Sequence, residues 1–573
     1  MSLQNKIPSI GGTRKVQLLL VVGILVMLNI IGNYLFTHID LTEEKRFTLT
    51  NATVQQLNSL DDIVFIDVLL DGEFPAGFKR LQRETRELLD GFRNNSGFLE
   101  YQFTDPSKGT NDDINKRRAQ LAKDSIFPVN LKLMENGEKT EKLIYPFAIV
   151  NYKNRKFKIN LLENEIPGVK PDEILNKSVS LLEYKFSNAI QKLRLNDKPN
   201  VIFVEGHGEL PAENTIDIEN TLRQFYDVGR IPIDSVVAFP VKDVNVMVIA
   251  KPLQEFDDKS RFKIDQYIMN GGRVLWLIDK FAAALDSLAT REVFMPSEII
   301  TGLDEMLYKY GARIEPNVVM DLESSHIPLV TGKVGNAPQF EMFTWYYNPI
   351  AAPKSDHPIV KGLDRTEFRF ASRVDTIKTK TPVKKTTILN SSIYGREQFS
   401  PMRISLEICR EKQDPKIYNK SNIPLGLLLE GVFPSFYENR VTADMMTALD
   451  EIKMPFVSNS KPTKMIVFGD GDLIRNDIDF TRQMIIPLGM NRFERYQYAN
   501  KDLIINAIEY LVDDFGVMEA RSKEVKLRLL DDVEVKKNKT FWQLLNLLAP
   551  LVFVTLLGLL YQYFRKRKYA GTY

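Results

Sequence analysis

Two long uncharged apolar runs, one near each end, constrain this chain more than any average over its 573 residues. Residues 16–36 read VQLLLVVGILVMLNIIGNYLF, with no charge and fourteen Val, Leu, Ile or Phe. As a helix rising about 1.5 Å per residue, this run covers about 31 Å, close to the roughly 30 Å hydrocarbon core of a bilayer. A signal peptide would have a shorter apolar region followed by an A-x-A-like cleavage site, so an uncleaved anchor is expected. Residues 541–564 read FWQLLNLLAPLVFVTLLGLLYQYF, again uncharged, with Trp542, Tyr561 and Tyr563 near the ends, where interfacial aromatics sit. Pro550 should kink this second span, which membrane helices tolerate.

Two crossings place both termini on one side. Lys6, Arg14 and Lys15 before the first span, and Arg565-Lys566-Arg567-Lys568 after the second, favour the cytoplasm for them. Lys45, Arg46, Lys536, Lys537 and Lys539 oppose this from the other flanks, where residues 37–540 would lie outside the cytoplasm.

Composition narrows the functions open to that middle. Seventy-six Lys and Arg balance 74 Asp and Glu, so no polyanion-binding bias exists and nucleic acid is not an expected partner. The single cysteine, Cys409, excludes an intrachain disulfide and a cysteine zinc cluster. His38, His207, His326 and His357 show no paired-ligand spacing. No cofactor or metal is expected. G-x-x-x-x-G-K-[ST] is absent, so any ATP hydrolysis belongs to a partner.

The pattern predicts an α/β protein of several units. Over residues 37–195, a Thr50-capped helix, a strand at 63–70, a helix at 78–92 and a strand at 98–103 open a small α/β domain of thioredoxin-like type. A hairpin over 144–159 and a closing helix over 177–194 should complete it. C-x-x-C is absent, which excludes redox chemistry. A second α/β domain spans 196–520, with strands at 201–204, 244–250 and 273–279, a helix at 256–269 and a Gly271-Gly272 cap. Such alternation implies a parallel sheet covered on both faces. Residues 321–462 turn irregular and strand-rich and are expected to form an insertion, after which 464–468 and the helix at 502–511 return to the sheet. Residues 524–537 would connect back to the membrane, with residues 521–540 as the whole connector.

The order of these segments carries a resemblance. An N-terminal span, EEKRFTLT, a strand ending in GHGE, and VMVIAKP before a helix, GG and a strand come first. DHPIVKGL, FGDGDLI, KDLIINAIEYL and a terminal span with a basic tail follow. The whole layout resembles the auxiliary, substrate-binding-like subunit of a gliding-motility-associated ABC transporter from Bacteroidetes-type bacteria. The resemblance implies an inner-membrane complex with a separate permease and a cytoplasmic ATPase, a role in gliding and in secretion or surface organisation, and a glutamine-amidotransferase-like second domain. An amidotransferase needs a cysteine on a tight glycine turn with a histidine to activate it. Cys409 sits in SLEICR without such a turn, so a non-enzymatic subunit is expected.

Two loops remain as candidate sites. Glu205-Gly206-His207-Gly208-Glu209 ends a strand, where ligands of open α/β sheets bind and glycines admit a partner close to the backbone. Its bland reading is a tight strand-to-helix loop. Gly469-Asp470-Gly471-Asp472, with Asp477 nearby, could join Glu205 and Glu209 in a cation site, although the calcium-loop pattern is missing and turn chemistry is the simpler account. His326 and His357 read as loop residues. Asn29, Asn33, Gln543, Asn546 and Thr555 are polar residues inside the spans, suited to helix–helix contacts with each other or with a permease. The rival to the auxiliary subunit is a membrane-tethered hydrolase or glycan-binding protein using Glu205, His207 and Glu209.

Overall fold

The opening of the first globular segment folds as its periodicity predicts. Thr50 caps helix α1 (Asn51–Asn58), its hydroxyl accepting the Thr53 N–H at 3.3 Å. Strands β1 (Val64–Val68) and β2 (Leu99–Phe103) lie parallel, joined by α2 (Ala76–Asn95), which buries Phe78, Leu81, Leu89 and Phe92. Helix α3 (Asn111–Lys123) leads to a hairpin, β3 (Val129–Glu135) and β4 (Glu138–Ile144), that the pattern did not predict. The predicted hairpin is β5 (Phe147–Tyr152) and β6 (Arg155–Asn160), and the sheet runs β2-β1-β5-β6. The closing helix is in fact two, α4 (Pro171–Ser180) and α5 (Leu182–Arg194), meeting at Leu181. Ser178 and Ser180 there bond the Ile174 and Lys177 carbonyls, competing with the helical ladder.

This computed structural model describes residues 48–523 and 532–569, apart from 73, 136–137, 164–168, 196 and 452–453, together with 16, 19–24 and 26–27. Those few residues of the first apolar run are helical. The rest of that expected span, with Asn29 and Asn33, lies outside the described residues, as do 43–47 and the 524–531 part of the connector.

The larger sheet carries the candidate loops. Its strands in chain order are β7 (Asn200–Glu205), β8 (Asp227–Pro232) after helix α6 (Ala212–Leu222), β9 (Val246–Ala250), and β10 (Val274–Leu277) after helix α7 (Asp258–Met269). Helix α8 (Asp304–Tyr310) follows, and then β11 (Ala312–Ile314), β12 (Asn317–Asp321), β13 (Ser324–Val334), β14 (Ala337–Ala351), β15 (Thr366–Glu367) and β16 (Val374–Thr376). Next come β17 (Val383–Asn390), β18 (Gly395–Phe399), β19 (Pro424–Gly431), helix α9 (Ala443–Glu451), β20 (Thr463–Phe468) and helix α10 (Asn500–Val512). The order across the sheet is β17-β19-β20-β10-β9-β7-β8. The five strands from β20 to β8 are parallel, and β19 and β17 add antiparallel pairings at one edge.

Both faces are covered, which explains the continuous apolar runs. On β9, Val246, Val248 and Ala250 pack with Ile218, Leu222, Leu503 and Ile508 of α6 and α10, while Met247 and Ile249 pack with Ile264, Tyr267, Met306 and Leu307 of α7 and α8. Residues 321–462 do not stand apart as an insertion, because they supply β17 and β19 to this sheet. Another part of them, with β12 to β14, surrounds a separate core of Trp345, Tyr347, Phe370, Ile404 and Cys409. His326 lies in β13 rather than a loop, with its backbone N–H and Nδ1 within 2.8 and 2.7 Å of Glu494 Oε1.

The small sheet and the large one meet across α5. Buried Glu509 of α10 bonds Tyr184 and pairs with Lys192, and Lys523 Nζ reaches Glu183 at 2.9 Å. Burial alone would raise the Glu509 carboxyl; Lys192, Tyr184 and Arg521 overcome this and hold it below the usual range. Taken by itself, the C-terminal segment is one helix, α11 (Asp532–Tyr569), continuous through Pro550. Its stretch Lys537–Lys568 is long and apolar enough to cross a membrane, by length and composition. Gln543 and Asn546 are exposed on it, and Thr555 satisfies its hydroxyl internally on the Leu551 carbonyl at 2.7 Å.

Candidate functional site

In this sheet the chain runs from β7 through α6 to β8 on one side and then to β9 on the other side of β7. The reversal opens a crevice at the carboxyl ends of β7 and β9, the usual ligand position in open α/β folds. Glu205-Gly206-His207-Gly208-Glu209 forms its β7 wall. Gly206 and Gly208 adopt φ of 123° and 74°, so both positions need glycine. The loop after β9 closes over it: the Leu253 and Gln254 N–H groups both donate to the His207 carbonyl at 2.9 Å. A Cβ on Gly208 would meet Leu253 Cβ at 3.2 Å. The His207 ring stacks on Phe256, with centroids 3.8 Å apart and planes 10° from parallel. The protein's own backbone and rings therefore fill the crevice.

The three polar side chains of this loop face different neighbours. Glu205 pairs with Arg230 Nε of β8 at 2.6 Å, and Arg230 also binds Glu219 at 2.7 Å and Thr215 at 2.9 Å. Glu209 Oε2 accepts the His207 N–H at 2.7 Å. Its other oxygen, Oε1, lies 4.0 Å from His207 Nδ1, and both atoms are buried without a hydrogen-bond partner. Burial raises the Glu209 carboxyl above its ordinary value, against the His207 N–H that favours the charged form.

The second loop is a closed ion network. Asp470 and Asp472 follow β20, Asp279 follows β10 and Lys251 follows β9, so adjacent strand ends bring them together. Lys251 Nζ lies 2.9 Å from Asp279 Oδ2 and 2.5 Å from Asp472 Oδ2. The Gly471 N–H donates to Asp279, and Asp470 accepts the Asp472 N–H at 2.7 Å and the Arg369 N–H at 2.6 Å. Arg475 takes the remaining Asp472 oxygen at 3.2 Å, and Arg369 grips Asp477 bidentately at 3.0 and 2.9 Å. Burial would lower the Lys251 ammonium, but Asp279 and Asp472 outweigh it and hold the group charged. Burial, Asp279 and Asp472 together push the Asp470 carboxyl well above the usual range.

Glu205 and Glu209 do not join these aspartates. Glu205 turns to β8, on the side of β7 away from β9, and the cation among the aspartates is the Lys251 ammonium. Among the described residues no set of three or more His, Cys, Asp or Glu is arranged to hold a metal ion. His357 is a loop residue, its ring 5.0 Å from Tyr510. Cys409 lies in a short turn, and burial pushes its thiol up to about 12, so it carries no thiolate character at neutral pH. The sequence reading missed Lys251, Asp279, Arg230 and Arg369. A signal existed for the first two, because each polar residue directly ends a fully apolar strand.

No curated protein matches the chain. Solved structures similar to it include the mmIFT52 N-terminal domain, at 12% identity and TM-score 0.30 over 55% of this chain and 98% of that one. A ThuA-like protein from Parabacteroides merdae ATCC 43184 gives 11% identity and TM-score 0.25 over 59% and 94%. The exo-beta-1,4-mannosidase Op5Man5 from Opitutaceae bacterium strain TAV5 gives 10% and 0.21 over 75% and 51%. A family described as a domain of unknown function matches residues 43–151. The auxiliary family of an ABC-type uncharacterized transport system matches residues 198–507, more than half of the chain and every strand of the large sheet, and the protein belongs to that family.

Proposed function

We propose that this protein is a non-enzymatic auxiliary subunit of an ABC transporter that serves gliding motility. Two spans hold it in a bacterial inner membrane with both termini cytoplasmic, beside a permease and above a cytoplasmic ATPase. Its thioredoxin-like and amidotransferase-like units face the periplasm, where they contact a substrate or an envelope partner. Membership of the ABC-transport family carries the reading. The apolar helix over Lys537–Lys568 supports the membrane attachment. The filled crevice supports a scaffold rather than a catalyst, since His207 is stacked on Phe256 and Lys251 neutralises the neighbouring aspartates.

Affinity purification of the full-length chain from native membranes tests the proposal. A permease and a nucleotide-binding subunit should co-purify. Deletion of residues 48–523 with both ends retained should abolish gliding; unimpaired gliding, or a chain that purifies without either transporter component, would remove the proposal.

A further inference from the structure

On the face of the large sheet covered by α8 lies a cleft of about 810 Å³ lined by residues outside both loops. Its walls are α8, the end of β11, the segment after β10, the loop between β16 and β17, and the loop after β19. This volume falls within the roughly 300–1,000 Å³ typical of small-ligand sites.

The charges in the cleft do not cancel evenly. Its four carboxylates are taken by cations of the cleft itself. Lys280 holds Glu298 at 2.9 Å and Asp304 at 3.1 Å, Lys309 holds Glu438 at 3.4 Å, and Arg440 holds Glu305 at 3.5 Å. Arg313 pairs at 3.4 Å with Glu315, which is not part of the lining. Lys378 and Lys380 remain, both exposed on the β16–β17 loop and, among the described residues, without an ion pair. The wall formed by α8 adds Tyr308, an aromatic residue that is 55% exposed.

From this juxtaposition we infer that the cleft binds an anionic saccharide, its acid group between Lys378 and Lys380 and a sugar ring against Tyr308. The acidic side chains already have cations, so an incoming carboxylate or phosphate meets net positive potential rather than repulsion. Sugar rings present apolar C–H faces that pack on an exposed aromatic, while their hydroxyls suit a polar wall. A peptide would want a strand edge or apolar pockets for its side chains, and a nucleic acid a basic track with several stacking rings. This cleft supplies two lysines without an ion pair and one exposed ring, because its other aromatic, Phe436, is buried with Arg440 over its ring. The site stands apart from the transporter reading, since neither candidate loop contributes to it.

Calorimetric titration of the detergent-solubilised full chain with trigalacturonic acid tests the inference, with maltotriose and triglutamate as controls. Trigalacturonic acid should bind, more weakly as salt rises, because exposed charges are screened. Lys378→Glu with Lys380→Glu should weaken binding by roughly tenfold or more, and Tyr308→Ala by a few-fold. All three side chains are exposed, and unchanged circular dichroism and co-purification would show that fold and assembly survive. The inference fails if trigalacturonic acid does not bind, or if the lysine variant binds it as well as the native chain. It also fails if maltotriose binds equally, which would remove the role of charge, or if triglutamate does, which would remove the sugar.

Discussion

The loops after β7 and after β20 look alike as sequence, each a short run of glycines and acidic residues at the end of an apolar strand. Their structures differ in how the charge is met. After β20, Lys251, Arg475 and backbone N–H groups take the oxygens of Asp279, Asp470 and Asp472, a closed network across three strand ends. After β7, the loop is held by backbone bonds to His207 and by ring stacking, while Nδ1 of His207 and Oε1 of Glu209 stay unmatched. The loop after β20 is thus built around its charges, whereas the loop after β7 is built despite one.

The largest test of this contrast removes the cation. Lys251→Met should destabilise the protein by about 3–5 kcal/mol, because it takes the shared cation away from the buried Asp279 and Asp472. Urea denaturation of the solubilised chain reads this, and a loss no larger than that of an exposed lysine would dissolve the distinction. A smaller effect is expected at Gly471, where an added Cβ would meet Lys251 Cβ at 2.6 Å and its Cα at 3.0 Å. Gly471→Ala should cost about 1–3 kcal/mol by overpacking and by displacing the lysine from its carboxylates.

The smallest effect sharpens the other side. The Glu209 carboxyl is raised in the fold, so the stability linked to its protonation is fully present below the ordinary value of 4.5 and is lost as pH rises through the raised one. Glu209→Gln keeps an acceptor for the His207 N–H and removes the buried charge. It should therefore be neutral, or stabilising by about 1 kcal/mol or less, at pH 7, with the difference vanishing below pH 4.5. Denaturation midpoints of both proteins from acid to neutral pH check the sign. A stabilising native carboxylate at pH 7 would show that Glu209 has a charged partner after all.

Much of the fold was legible because its signals are local. The β9 run VMVIA, the Thr50 cap of α1, whose hydroxyl accepts the Thr53 N–H at 3.3 Å, and Gly271 at φ 100° each mark an element within a few residues. The failures were non-local. The sequence of β17, VKKTTILN, shows no continuous apolar run, and nothing near it says that β19 will pair with it. The Leu181 break is the local exception, where the Ser178 and Ser180 hydroxyls reach carbonyls one turn back. At the candidate site the glycines and carboxylates of both loops could be read, but their partners could not: Arg230 lies 25 residues from Glu205, and Lys251 lies 221 from Asp472.

By itself the sequence determined two apolar ends, a charge-balanced α/β middle and two glycine-spaced acidic loops at strand ends, because hydrophobic periodicity and turn chemistry act over a few residues. Only the tertiary structure decided that one loop encloses a lysine and the other a stacked histidine. Buried charges are settled by whichever groups the strand order brings within hydrogen-bonding distance, and that order joins residues hundreds of positions apart.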